Sequence, residues 1–182
     1  MNTDGLDGTT TDDSSSGTLG WFIDQVLLDD LRRMVFEHRL YYLSFGVMAS
    51  AIEFMGACLD TEDFNQRGRS ERRFRLAIAE LFDARYRRFA DDLYLSLRNG
   101  MAHVMRPQSS VAFTNRADGI KEGVSHLEET SSGKLVLIAE DLYEDFACAA
   151  EVLKRQMASN AYPKKKRLAD HYLTISERDA AP

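Results

Sequence analysis

Cysteine, proline and tryptophan are scarce in this chain of 182 residues, at two, three and one. Two cysteines make no disulfide framework, and neither Cys58 nor Cys148 has the CxxC partner of a zinc site. His38, His103, His126 and His171 are too scattered to form a local ligand set, so neither a metal nor any other cofactor is expected. Each cysteine sits among apolar residues at helical spacing, where a free thiol is expected to be a small buried hydrophobe. No apolar run approaches the roughly 20 residues that cross a bilayer. The N-terminus carries Asp4, Asp7, Asp12 and Asp13 among Ser, Thr and Gly instead of the cationic and apolar regions of a secretory leader. No membrane association and a cytoplasmic location are therefore the expectations.

What is present is the composition of one globular domain with appendages, 44% hydrophobic and 29% charged. Residues 1–19 are polar, small and acidic, too poor in apolar side chains to offset the entropy of ordering, and read as a disordered acidic tail. Residues 20–158 read as the folded domain. Residues 159–182 read as a polar C-terminal tail whose run Lys164 to Arg167 is basic.

The net charge of −6 argues against a nucleic-acid partner, because affinity for phosphate backbones comes from Lys and Arg. The total conceals its distribution. From residue 67 to 106 the basic residues are Arg67, Arg69, Arg72, Arg73, Arg75, Arg85, Arg87, Arg88, Arg98 and Arg106, ten against five acidic ones. All ten are arginine, whose planar fork suits phosphate oxygens.

Helical spacing dominates. Val26, Leu27, Leu31, Met34 and Val35, then Leu40, Leu43, Val47, Ala51, Phe54 and Cys58, predict two helices or one bent helix ending near Asp60, with these residues inward. A polar connection with Gly68 leads to Ser70, a predicted N-cap. The next stripe, Phe74, Ile78, Leu81, Phe82, Tyr86 and Phe89, predicts one continuous helix. A fourth starts at Asp91 or Asp92, carries Leu93, Leu97 and Met101 inward and is stopped by Pro107. The aromatic set Tyr41, Tyr42, Phe45 and Phe54 is expected in the core.

Beyond Pro107 the period changes. Val111, Phe113 and Leu135 to Ile138, around the turn signals Asp118-Gly119 and Ser132-Gly133, predict two short strands over about 110–138. A last helix follows from about Glu140 to Met157, burying Leu142, Phe146, Ala149, Ala150 and Leu153. The fold class is thus mainly α: a bundle of four to five helices with a short β-hairpin inserted before the last helix.

The segment Arg98-Asn99-Gly100-Met101-Ala102-His103 concentrates chemistry. On an α-helix, Asn99 and His103 share a face and Arg98 lies about 100° round from Asn99. Histidine suits proton transfer near neutral pH, so this one could take the proton of a ribose 2′-hydroxyl attacking the adjacent phosphate. Arg98 would hold that phosphate, and Asn99 would orient the imidazole or the phosphate. Gly100, costing about 1 kcal/mol against alanine inside a helix, would admit another backbone or a substrate. Arg85, Arg87, Arg88 and Arg106 are the candidate RNA-binding residues.

The stretch Leu93 to His103 resembles the signature of the HEPN superfamily: Arg, a polar residue, three further residues and His, matched here by Arg98, Asn99 and His103. HEPN domains are helical bundles that place the motif late, as in this element order. The resemblance implies a homodimer in which two motifs face each other as one composite, metal-independent site. Such a site cuts an RNA substrate and leaves a 2′,3′-cyclic phosphate, with Arg98 and His103 catalytic and Asn99 in support. It implies a toxin or anti-phage defence effector with an antitoxin or defence-system partner, the alternative being a noncatalytic HEPN-fold interaction or regulatory module. Some HEPN toxins carry a tyrosine two residues beyond the histidine; Met105 stands there in this chain, so silencing by modification is not expected at that position.

Overall fold

The computed structural model describes residues 19–159, and among them lie six helices and one two-stranded sheet. Apart from Leu19 and Ser159, both tails fall outside the described residues, and His171 with them. The first helix, α1, covers residues 19–37 and is π-wound over Phe22–Asp30 and Arg33–Glu37. Arg39, at φ +53°, breaks the chain, and α2 then runs over Tyr41–Leu59; two helices form, not one bent one.

The bundle is built around α2, which packs against α3 (Ser70–Leu81) and the last helix, α6 (Ala139–Met157). Phe45, Met48, Ile52, Met55 and Cys58 are fully or nearly fully buried. Each such side chain is worth about 1.5–3 kcal/mol of transfer from water. Leu40, Leu43 and Val47, expected on the inner stripe, are exposed instead, as is Tyr42. The reason is composition: α2 is apolar on nearly all sides, so periodicity alone does not choose which face turns inward. By length and apolar composition α2 would also reach across a bilayer, contrary to the expectation that no such run exists, although more than half of it is buried among its neighbours.

Two contacts fix α3 on α2. A Cβ on Gly56 would lie 1.8 Å from Arg73 O, so the two backbones touch there and no larger residue fits. Arg73 is itself buried: its Nε donates to Asp60 Oδ2 at 3.0 Å, and its Nη groups donate to the Phe64 and Asp63 carbonyls at 2.8 and 2.6 Å. The predicted third helix does not run on to Phe89. It ends at Leu81, and Ala84–Phe89 forms a separate 3-10 turn because the Asp83 side chain captures Arg85 N at 2.9 Å. Such a local bond competes with helix continuation.

A continuous helix, α4, covers residues 90–104 and is π-wound over Leu93–Asn99. β1 (Val111–Thr114) and β2 (Leu135–Ile138) pair in parallel, Val111 opposite Leu135 through Thr114 opposite Ile138, which corrects the expected hairpin. Parallel strands need a crossover. Here it is α5 (Arg116–Glu122), N-capped by Asn115, so Asp118-Gly119 lies in a helix and not in a turn. The Ser132-Gly133 turn closes a smaller antiparallel contact on the other side of β2, where Leu127 N donates to Val136 O and Val136 N to Glu128 O. On α6 the buried residues include the expected Leu142, Phe146, Ala149, Ala150 and Leu153, whereas Cys148 turns outward and is exposed.

Candidate functional site

Helices α2 and α4 run antiparallel. Tyr42 Oη donates to Met105 O at 2.7 Å, a Cβ on Gly46 would sit 3.4 Å from Met101 Cε, and Arg98 Nε donates to Glu53 Oε2 at 2.7 Å. On α2 these contacts fall at positions 42, 46 and 53, one helical stripe that carries Glu53 to Arg98.

The helix end that holds His103 is built with care for its backbone. Val104 is the last helical residue, three before Pro107, so the proline is not the stop. Met105 takes the left-handed conformation (φ +53°), a position where a Cβ costs roughly 1–2 kcal/mol. The Tyr42 hydroxyl holds its carbonyl, and Arg106 N returns to Gly100 O at 3.3 Å. The chain then folds back along α4: Gln108 N donates to Ser96 O at 3.0 Å, and the Ser96 and Ser110 hydroxyls lie 2.6 Å apart. A Cβ on Gly100 would meet Arg106 O at 2.5 Å, so the backbone this glycine admits is the chain's own.

Arg98 and Asn99 are brought together, Arg98 Nη1 donating to Asn99 Oδ1 at 3.1 Å. His103 lies one turn further on, exposed, its ring making no hydrogen bond or ion pair among the described residues. Arg106 is exposed just past the helix end. Glu53 was not singled out by its sequence, where it is the lone charge in an apolar helix; that isolation was the available signal. Its Oε2 accepts from both Arg98 Nε and Ser70 Oγ, each at 2.7 Å. Ser70 therefore does not cap α3: no side-chain cap bond is made there, and its hydroxyl serves Glu53. Arg98 and Glu53 are 21% and 22% exposed, partly dry yet reachable.

Arg85, Arg87 and Arg88 stand on the 3-10 turn before α4, at the opposite end of that helix from His103, about 20 Å away along an axis rising about 1.5 Å per residue. Arg85 pairs with Asp145, Arg87 Nη2 donates to Ala79 O at 3.0 Å, and Arg88 lies over the Phe89 ring at 4.4 Å. Half of the arginine field is consumed internally: Arg69 pairs with Glu62, Arg73 with Asp60, Arg75 with Glu71 and Asp91, Arg85 with Asp145 and Arg98 with Glu53. Arg67, Arg72, Arg87, Arg88 and Arg106 make no ion pair among the described residues.

A second polar cluster lies near that far end. Ile138 N donates to His126 Nδ1 at 3.0 Å, so the neutral ring carries its proton on Nε2, 2.8 Å from Tyr86 Oη; that hydroxyl donates to Asp145 Oδ2 at 2.7 Å. Burial lowers the His126 pKa to about 4, against the opposing pull of Asp145, and raises that of Tyr86, with Asp145 adding to the rise. Among the described residues no group of three or more His, Cys, Asp or Glu could hold a metal. Compared with family models, curated proteins and solved structures, the chain matches none.

Proposed function

We propose that this chain is a metal-independent endoribonuclease of HEPN type that works as a homodimer. The observation that carries the reading is the exposed helix end where His103 stands without a partner one turn beyond the Arg98–Asn99 pair. Glu53 and Asn99 take the Nε–H and one Nη1–H of Arg98. Of the five N–H groups of a guanidinium, three are then left for phosphate oxygens. His103 removes the proton of the 2′-hydroxyl, the 2′-oxygen attacks phosphorus, and the bond to the 5′-oxygen breaks. The products are a 2′,3′-cyclic phosphate and a 5′-hydroxyl, the proton for the leaving oxygen coming from the imidazolium of His103 of the partner subunit. The bare imidazole and the three N–H groups make half of such a site.

The homodimer finds support in exposed apolar residues of α2 and α4. Leu43 and Val47 on α2, with Leu95 and Met105 on and just after α4, are large, uncharged and exposed, Met105 at 58%. An isologous contact needs such residues near its centre.

One observation favours the alternative, a noncatalytic interaction module: Glu53 already neutralises Arg98, so the pair presents no net charge to a phosphate. Incubating full-length wild type and His103→Ala with total RNA in EDTA separates the two readings. The ribonuclease reading expects products ending in 2′,3′-cyclic phosphate and a loss of about 10²–10⁴-fold in the variant. Equal cutting by both removes His103 from the mechanism. A wild type that cuts no RNA yet remains dimeric leaves the interaction module standing.

A further inference from the structure

Ser70 opens α3, yet its hydroxyl is turned away from that helix's own N–H groups and donates to Glu53 Oε2, the oxygen that also receives Arg98 Nε. A carboxylate held by one donor can turn about its last side-chain bond and offer either oxygen. Two donors converging on one oxygen, from α3 and α4, remove that freedom. Ser70 is itself held in place, because α3 is keyed to α2 by the backbone contact at Gly56 and by the buried Arg73–Asp60 pair.

We infer that Ser70 is a positioning residue: by pinning Glu53 it sets the plane of the Arg98 guanidinium, and so the direction of the N–H groups left for a phosphate. The consequence for cleavage rests on the ribonuclease reading. The linkage from Ser70 through Glu53 to Arg98 is measurable without it.

The test uses the full chain as wild type, Ser70→Ala, Ser70→Thr and Ser70→Val, the last two matched in shape and differing in the hydroxyl. Side-chain NMR follows solvent exchange of the Arg98 Nε–H, assigned by its disappearance in Arg98→Lys. Exchange is expected to accelerate about tenfold in the Ala and Val variants and to stay within about twofold of wild type in Thr, the scale of one charge-assisted hydrogen bond. Thermal unfolding of each variant identifies those that fold, and Thr against Val still decides if Ala does not.

On a cleaved RNA, with rates taken per folded protein from the unfolding curves, kcat is expected to fall about 3–10-fold in Val with KM nearly unchanged and Thr close to wild type. An unchanged Nε–H in a folded variant lacking the hydroxyl overturns the inference. So does a Thr variant that exchanges as fast as Val. Absence of any cleavage by wild type counts against the ribonuclease reading alone, since the exchange comparison still decides the linkage.

Discussion

Two polar clusters lie toward opposite ends of α4, and they are built on opposite terms. Around Tyr86 the enclosed groups are matched to one another: Ile138 N donates to His126 Nδ1, His126 Nε2 lies 2.8 Å from Tyr86 Oη, that hydroxyl donates to Asp145 Oδ2, and the His126 side chain is 5% exposed. Around Arg98 the matching stops partway: Glu53, Ser70, Arg98 and Asn99 are joined, but His103 stands in solvent. A closed network stabilises a fold and has nothing left to offer a substrate. An open one holds its geometry with some groups and leaves others free. That difference is what directs attention to one histidine and away from the other, although burial strongly lowers the pKa of His126.

The comparison can be broken from the closed side first. His126 is neutral when folded and has a pKa of about 4, below its unfolded value of about 6.5. The unfolded chain therefore binds a proton that the folded chain refuses, and stability must fall as pH drops from about 6.5 toward 4. Urea unfolding across that range is expected to lose on the order of 3 kcal/mol through this residue. In His126→Gln the slope should flatten; an unchanged slope means that the ring is not buried as neutral imidazole.

A smaller effect belongs to Tyr86→Phe, which strands His126 Nε2–H and removes one of the two donors to Asp145 Oδ2. About 2 kcal/mol of stability should be lost in denaturant unfolding, while any RNA cleavage by the folded protein stays as in wild type. A fall in kcat at full folding would show that the two clusters communicate along α4.

The smallest expected change in stability is at Gly100→Ala, where about 1 kcal/mol gained in helix propensity opposes about 1–3 kcal/mol for pushing the backbone of residues 106–108 away. A net loss of about 1 kcal/mol should appear in thermal unfolding, with the signals of Met105 and Gln108 moving most in an NMR spectrum. A variant as stable as wild type with those signals unmoved would mean that the returning chain does not lie on Gly100.

Much of the framework was legible in one sequence because helices announce themselves locally. The stripes of α3 and α6 and the inner residues of α4 follow from spacing that water imposes on any amphipathic helix. The site was legible in part for the same reason: Asn99 and His103 share a face by arithmetic alone. The inward face of α2 was not, because Leu40, Leu43 and Val47 are as apolar as Phe45 and Met48, and the choice between them is made by what packs opposite. Nor was the parallel pairing of β1 and β2, which depends on Asn115 capping a helix where the Asp118-Gly119 pair suggested a turn.

By itself, then, the sequence determined where the long helices form, though not every end of them, and that Arg98, Asn99 and His103 ride one, since periodicity and residue chemistry are properties of neighbours along the chain. Only the tertiary structure decided that Ser70 and Arg98 meet on Glu53, that Arg85 is paired with Asp145, and that one histidine is enclosed while the other is bare. The contacts at Glu53 and at Asp145 join residues 17 to 60 positions apart. Burial and charge pairing at such separations are set by how the helices cross, which no local pattern records.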